Sequence, residues 1–111
     1  MHKHSPSSDQ RHALYYQAII QLRPANERLI EYTLNYLKNK EDVTIAKREK
    51  LKTGIDLYIS SNRVALALGK RLKQVFPGEL TLSRELHTRD RQTSRDLYRV
   101  TVLFRLQHEH L

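Results

Sequence analysis

Arginine is concentrated near the C-terminal end of the chain. The residues concerned are Arg84, Arg89, Arg91, Arg95, Arg99 and Arg105. A guanidinium group forms paired hydrogen bonds with phosphate oxygens and stacks on exposed bases, which an ammonium group does less well. Residues 87–96 also supply hydroxyl and amide groups that suit contacts with sugar and phosphate oxygens. We therefore predict a polar hairpin loop over residues 87–96, with RNA contacts at Arg84, His87, Arg89, Arg91 and Arg95.

Each basic cluster also has a structural explanation. In the loop, Asp90 and Asp96 could neutralise the neighbouring arginines and leave an ordinary solvated hairpin. A second predicted contact set lies in a helix and consists of Arg63, Lys70, Arg71 and Lys73. A third lies in the turn between the second and third strands and consists of Lys47, Arg48, Lys50 and Lys52. Both could instead be charged surfaces that serve solubility.

Two tyrosines are further candidates for contact with RNA bases. Tyr15 and Tyr58 fall on the outward side of the first and third predicted strands, which a βαββ order commonly places side by side. Exposed aromatic rings stack on bases. This arrangement resembles an RNA recognition motif, although the third strand offers only one aromatic residue. The alternative is a pair of tyrosines that cover the sheet.

Sequence motifs for catalysis are missing. The chain has three glycines and no Gly-rich phosphate loop, nucleophile elbow or zinc-protease helix. It has no cysteine, so disulfides and thiolate metal sites are excluded. The histidines that could bind metal are His2, His4, His108 and His110, all near the chain ends. We predict a protein that is not an enzyme and has no cofactor and no metal site.

The composition favours a polyanionic partner. The formal net charge is +8 and the hydrophobic content is 39% over 111 residues. A strongly basic surface attracts nucleic acid. No apolar run approaches the roughly 20 residues of a membrane helix, and residues 1–11 lack the apolar segment of a signal peptide. We expect a soluble cytoplasmic protein with no membrane partner.

Hydrophobic periodicity predicts an α+β domain. Alternation from Leu14 predicts a strand with Tyr16, Ala18 and Ile20 in the core, followed by a helix from Pro24 to about Asn39. A hairpin with a turn over residues 49–53 follows, and then a second helix after an N-cap at residues 60–62. The remaining predicted core residues are Leu34, Leu37, Ile55, Leu57, Leu68, Leu72, Val100, Val102 and Phe104.

The predicted order of elements is βαββαββ. Two amphipathic helices would cover one face of a mostly antiparallel sheet and leave the other face open. We expect a disordered tail over residues 1–12, a single RNA-binding domain over residues 13–107 and a short tail over residues 108–111.

Several segments resemble the central region of the nonsense-mediated-decay protein three family, the archaeal and eukaryotic adaptors for export of the large ribosomal subunit. The segments are residues 16–23, 54–61, 83–86, 90–92 and 98–102. Their most specific parts are the strand Gly54-Ile55-Asp56-Leu57-Tyr58 before a capped helix and the hairpin from Ser83-Arg84 to Tyr98-Arg99-Val100-Thr101. The resemblance covers most of residues 14–106.

The resemblance implies contact with ribosomal RNA and the large ribosomal subunit without catalysis. The family's N-terminal zinc sites need paired cysteines, and its export signal lies in a leucine-rich tail; neither is present here. We therefore expect the RNA-facing central module, as a shortened relative or an excised domain, that acts in ribosome biogenesis or quality control. The alternative is a protein-interaction domain of ferredoxin-like or RNA-recognition-motif-like fold whose basic surface serves solubility.

Overall fold

The computed structural model describes residues 16–90 and 95–107, with side chains described for residues 16–86 and 98–107. The elements are β1 (Ala18–Arg23), α1 (Glu27–Lys38), β2 (Ile45–Leu51), β3 (Gly54–Ile59), α2 (Asn62–Val75), β4 (Gly78–Asp90) and β5 (Arg95–Leu106). This is the predicted order, and the α+β class is confirmed. Leu14, Tyr15 and both predicted tails up to residue 12 and from residue 108 lie outside the described residues.

The five strands form one sheet in the order β2-β3-β1-β5-β4. Three neighbouring pairs are antiparallel, and the pair of β1 with β5 is parallel, with Ile20 opposite Val102. The first three strands are arranged as in an RNA recognition motif, but that fold has four strands. Here β5 lies between β1 and β4, so the sheet differs from the four-strand alternative.

Helix α1 is defined by its cap and its buried stripe. The Asn26 side chain accepts a hydrogen bond from the backbone N–H of Leu29 at 3.1 Å, which satisfies one free amide of the first turn. Leu29, Thr33 and Leu37 are buried at four-residue spacing. The helix therefore begins at Glu27, and the predicted start at Pro24 is wrong because Asn26 supplies the cap.

Helix α2 is capped by Ser61, within the range predicted for the cap. The Ser61 hydroxyl accepts a hydrogen bond from the N–H of Val64 at 3.1 Å. Leu68 and Leu72 are fully buried against the sheet. A Cβ at Gly69 would lie 2.9 Å from Val102 Cγ1, so the absence of a side chain there lets the helix lie close to β5.

The core lies between the helices and one face of the sheet, and most predicted core residues are in it. The described buried core consists of Ala18, Ile20, Leu22, Leu29, Leu37, Ile55, Leu57, Ile59, Val64, Ala65, Leu68, Leu72, Val100, Val102 and Phe104. Leu34 packs against this cluster but is only partly buried. Tyr16 is also half-buried, and its ring contacts Tyr58 on the other face. The prediction that Tyr16 lies in the core is wrong, because β1 begins at Ala18 and the alternation of buried and outward side chains does not extend back to Tyr16.

The predicted polar loop over residues 87–96 is largely strand. The β4–β5 ladder continues past a register shift between Leu86 and Thr88, and it pairs Arg89 with Asp96 and Asp90 with Arg95. Backbone pairing in a two-stranded extension needs no buried face. Hydrophobic alternation marks a half-buried strand, and it is missing from this extension of β4 and β5 beyond Leu86, which we call the β4–β5 arm.

The predicted turn over residues 49–53 is also shorter than expected. Lys52 and Thr53 alone separate β2 from β3, and Lys50 pairs with Ile55. Lys47, Arg48 and Lys50 therefore lie within β2, where successive side chains point to opposite faces. The last residues of this strand, 49–51, resemble a turn in the sequence because Glu49 and Lys50 are charged and Leu51 does not continue the apolar alternation.

Candidate nucleic-acid interface

Helix α2 presents a basic surface to solvent. It carries four basic residues and no acidic residue among its 14 positions. Arg63 and Lys70 are seven residues apart, close to two helical turns, so they share a face, and Arg71 lies beside it. All three are exposed. We call Arg63, Lys70 and Arg71 the α2 ridge.

The ridge cations have no acidic partner among the described side chains. No described carboxylate oxygen lies within 4.0 Å of them, and the one hydrogen bond of the Arg71 side chain among the described residues goes to the neutral Gln74 Oε1 at 3.4 Å. Lys73 behaves differently, because its Nζ donates to the backbone carbonyl of Gly78 at 2.8 Å. Lys73 thus contacts the chain just after α2, whereas the ridge cations have no ion-pair partner among the described residues.

Arg84 lies on the same side of the sheet as α2. It is opposite Val100, whose side chain is buried beneath the helices. Its guanidinium carbon lies 5.6 Å from the centre of the Tyr98 ring. Asn62 Nδ2 donates to the Tyr98 carbonyl at 3.0 Å, which joins the start of α2 to β5 at the same residue. The fold therefore brings Arg84 near the beginning of the ridge.

The β4–β5 arm beyond Leu86 contains the remaining arginine candidates. His87 and Arg89 belong to β4 and Arg95 to β5, as backbone positions whose side chains are not described. Arg91 lies outside the described residues. The register sets Arg89 opposite Asp96 and Arg95 opposite Asp90, the arrangement of the solvated-hairpin alternative.

The basic residues of β2 are split between the two faces of the sheet. Lys47 pairs with Tyr58 on the helix-free face, and its Nζ lies 5.3 Å from the centre of that ring. Arg48 pairs with Leu57 and so lies on the helix side, as does Lys50, while Lys52 is in the turn. Four strand spacings of roughly 4.8 Å put β2 about 19 Å from β4. The predicted contacts thus do not form one patch.

Tyr58 is paired with Tyr16, while Tyr15 lies outside the described residues. The two ring centres are 4.9 Å apart, with the planes at 83°. The Arg99 guanidinium carbon lies 4.1 Å from the centre of the Tyr16 ring. Cations thus lie against both tyrosines and cover part of the ring surface that a base would need for stacking.

The Tyr58 hydroxyl donates to Glu49 Oε1 at 3.0 Å. Burial, together with this hydrogen bond and the nearby carboxylate charge, raises the pKa of Tyr58 above its ordinary value of 10.0. Tyr58 therefore stays a neutral phenol to a higher pH than an ordinary tyrosine. Its geometry indicates a structural role for the ring cluster on the helix-free face.

Three residues outside the predicted RNA contacts have partners on this face. Tyr16 and Arg99 complete the ring cluster, and Arg23 forms an ion pair with Asp56, Nη2 lying 2.7 Å from Oδ1. Gly54 makes room for Arg23, since a Cβ there would be 2.8 Å from Arg23 Cδ and would collide with the Leu22 carbonyl. Arg99 alternates with the apolar residues Val100, Val102 and Phe104 along β5, so the sequence already indicated that its side chain faces away from the helices.

Metal ligands and membrane helices are not features of the described part of the chain. No group of three or more His, Asp or Glu side chains there could hold a metal ion. Neither helix is long and apolar enough to cross a membrane. The four histidines named as possible ligands lie outside the described residues.

The fold and the exposed cations define a small basic α+β domain with one helix suited to polyanions. The family model described as the second domain of NMD3 matches residues 15–106. The chain belongs to the NMD3 family, as the resemblance of its strands and hairpins predicted. Membership implies a ribosome-associated export-adaptor role, and the family is not known as a family of enzymes. No curated protein gives a significant match.

Proposed function

We propose that this domain is a noncatalytic RNA-binding module that docks on ribosomal RNA of the large subunit, in the cytoplasm. The observation that carries the proposal is the α2 ridge, in which three exposed cations have no acidic partner among the described side chains. Each cation that neutralises a phosphate releases condensed counterions, which supplies most of the sequence-independent affinity. The ridge therefore has the chemistry of a phosphate-binding surface.

Arg84 extends the proposed interface from the ridge to the β4–β5 arm. It is exposed and lies near Tyr98, which is 41% exposed. The arm arginines Arg89, Arg91 and Arg95, with His87, would continue the contact along the RNA backbone. The cations of β2 and its turn, together with Tyr58 and Tyr15, remain predicted RNA contacts.

A protein-interaction domain is the second candidate function. Leu82 is 44% exposed and Leu86 is 56% exposed, and both lie on the helix side of β4, next to Tyr98 on β5. Large apolar side chains exposed together on one face of a β-hairpin suit contact with a protein surface. On a ribosomal subunit, the side chains of Leu82, Leu86 and Tyr98 would contact a ribosomal protein beside the RNA that the ridge contacts.

Co-sedimentation with purified ribosomal subunits tests the proposal. The wild-type domain should sediment with large subunits, and a triple variant of the ridge, Arg63→Gln, Lys70→Gln and Arg71→Gln, should bind at least tenfold more weakly. Two exposed cations away from the ridge provide a control: Arg28→Gln with Arg105→Gln, to be compared with the ridge double variant Lys70→Gln with Arg71→Gln, which removes the same charge. Equal loss in both variants would show that only net charge matters, and unchanged binding by the ridge variant would contradict the proposed interface.

A further inference from the structure

A groove lies between the C-terminal end of α1 and the edge strand β2. Its volume is about 450 Å³. Leu34, Val43 and Ile45 contribute partly buried aliphatic side chains to its lining. The described cations that line it are Lys38, Lys40 and Arg48. The groove thus combines an aliphatic lining with positive charge.

The positive charge of the groove is not neutralised within the described side chains. All three cations are exposed, and no described carboxylate oxygen lies within 4.0 Å of their nitrogen atoms. Glu41 and Asp42 belong to the loop between α1 and β2, but neither lines the groove. A ligand that brings carboxylates beside aliphatic groups would complement both properties.

We propose that this groove binds an acidic, aliphatic peptide segment of a partner protein. Aliphatic ligand side chains would contact Leu34, Val43 and Ile45, and flanking Asp or Glu residues would pair with the cations. The outer edge of β2 is unpaired in the described sheet, so its backbone groups are available to an extended peptide.

The aliphatic lining favours a peptide over single-stranded RNA. Base recognition by such proteins depends on open aromatic faces. The nearby Tyr36 ring has Lys40 Nζ 4.8 Å from its centre, and Tyr36 does not line the groove. The site is also separate from the α2 ridge, because β2 ends the sheet at one edge whereas α2 packs on β1, β5 and β4. Peptide binding therefore does not depend on the proposed RNA contact.

Fluorescence anisotropy with short labelled peptides tests the proposal. One probe has leucines interspersed with glutamates, a second has lysine at every glutamate position, and a third is an oligouridine. We expect the acidic peptide to bind at about 150 mM salt, where screening acts beyond roughly 8 Å, and the lysine peptide to bind much more weakly. A groove variant with Lys38→Gln, Lys40→Gln and Arg48→Gln should weaken acidic-peptide binding about tenfold, since exposed ion pairs contribute modest factors that multiply.

The ridge variant Arg63→Gln, Lys70→Gln and Arg71→Gln is the control of matched charge, and it should keep its affinity for the acidic peptide. Val43→Asn tests the aliphatic contact without changing charge and should also weaken binding, with the melting temperature confirming that each variant folds. Absence of acidic-peptide binding, or equal binding by the groove and ridge variants, would overturn the proposal. Oligouridine binding that depends on the groove cations while peptide binding does not would assign the groove to RNA.

Discussion

Replacement of Arg23 by leucine should destabilise the domain more than any other substitution of a basic residue on the helix-free face. Arg23 Nη1 donates to the carbonyls of Leu22 at 3.0 Å and Ile55 at 3.2 Å, and Nη2 faces Asp56. The side chains of Arg23 and Asp56 are only 16% and 9% exposed. The ion pair is the only described partner of Asp56 Oδ1, although the N–H direction is poorly aligned for a hydrogen bond.

Arg23→Leu would leave the Asp56 carboxylate buried without a counter-charge. Breaking a buried pair from one side costs about 3 to 5 kcal/mol, a large share of a typical unfolding free energy of roughly 5 to 15 kcal/mol. The double variant Arg23→Leu with Asp56→Leu removes both charges and should recover much of this loss. Urea denaturation of the wild type, the two single variants and the double variant gives the coupling energy.

Arg105→Leu provides the control for this cycle. Arg105 pairs with Arg23 in the parallel register but is exposed, so its loss should change stability by only about 0.5 kcal/mol or less. A loss below about 1 kcal/mol for Arg23→Leu would refute the claim that the pair is a buried ionic contact. So would a double variant that is less stable than Arg23→Leu alone.

Three further outcomes follow from the fold. Leu72→Ala removes a fully buried side chain of α2 and should lower the unfolding free energy by about 2 to 5 kcal/mol in urea denaturation; parent-like stability would contradict the helix packing. Because the fold raises the pKa of Tyr58, the stability that this phenol contributes is complete below pH 10 and is lost as the pH rises through the folded-state pKa. Thermal melts above pH 10 should therefore show a smaller loss of stability for Tyr58→Phe than for the wild type. Deletion of residues 1–12 and 108–111 should leave melting temperature and RNA affinity unchanged; a large loss of either would contradict the proposed domain limits.

The order of elements could be predicted because most strands and both helices have a buried face. Ala18, Ile20 and Leu22 alternate along β1, and Leu68 and Leu72 recur at helical spacing in α2. Hydrophobic periodicity does not predict a strand that has no buried face. The arm beyond Leu86 has no alternation of apolar residues in its sequence, so its polar residues resembled a loop.

The position of β5 beside β1 could not be predicted from periodicity, because alternation marks a strand without naming its neighbour. The pairing of Arg23 with Asp56 was missed for the same reason, since 33 positions separate them and only the antiparallel register of β1 with β3 brings them close. The α2 ridge was visible in the sequence because a helix fixes which residues share a face. Its lack of acidic partners among the described side chains became evident only in three dimensions.

The salt dependence of binding to large ribosomal subunits tests the central claim most directly. Log affinity should fall linearly with log salt concentration, and each lost phosphate contact should flatten the slope by about 0.7 to 0.9. The ridge variant Arg63→Gln, Lys70→Gln and Arg71→Gln should therefore have a slope shallower by about 2 to 3, whereas the control Arg28→Gln with Arg105→Gln should keep the wild-type slope. An unchanged slope in the ridge variant would contradict the assignment of α2 as the phosphate-binding surface.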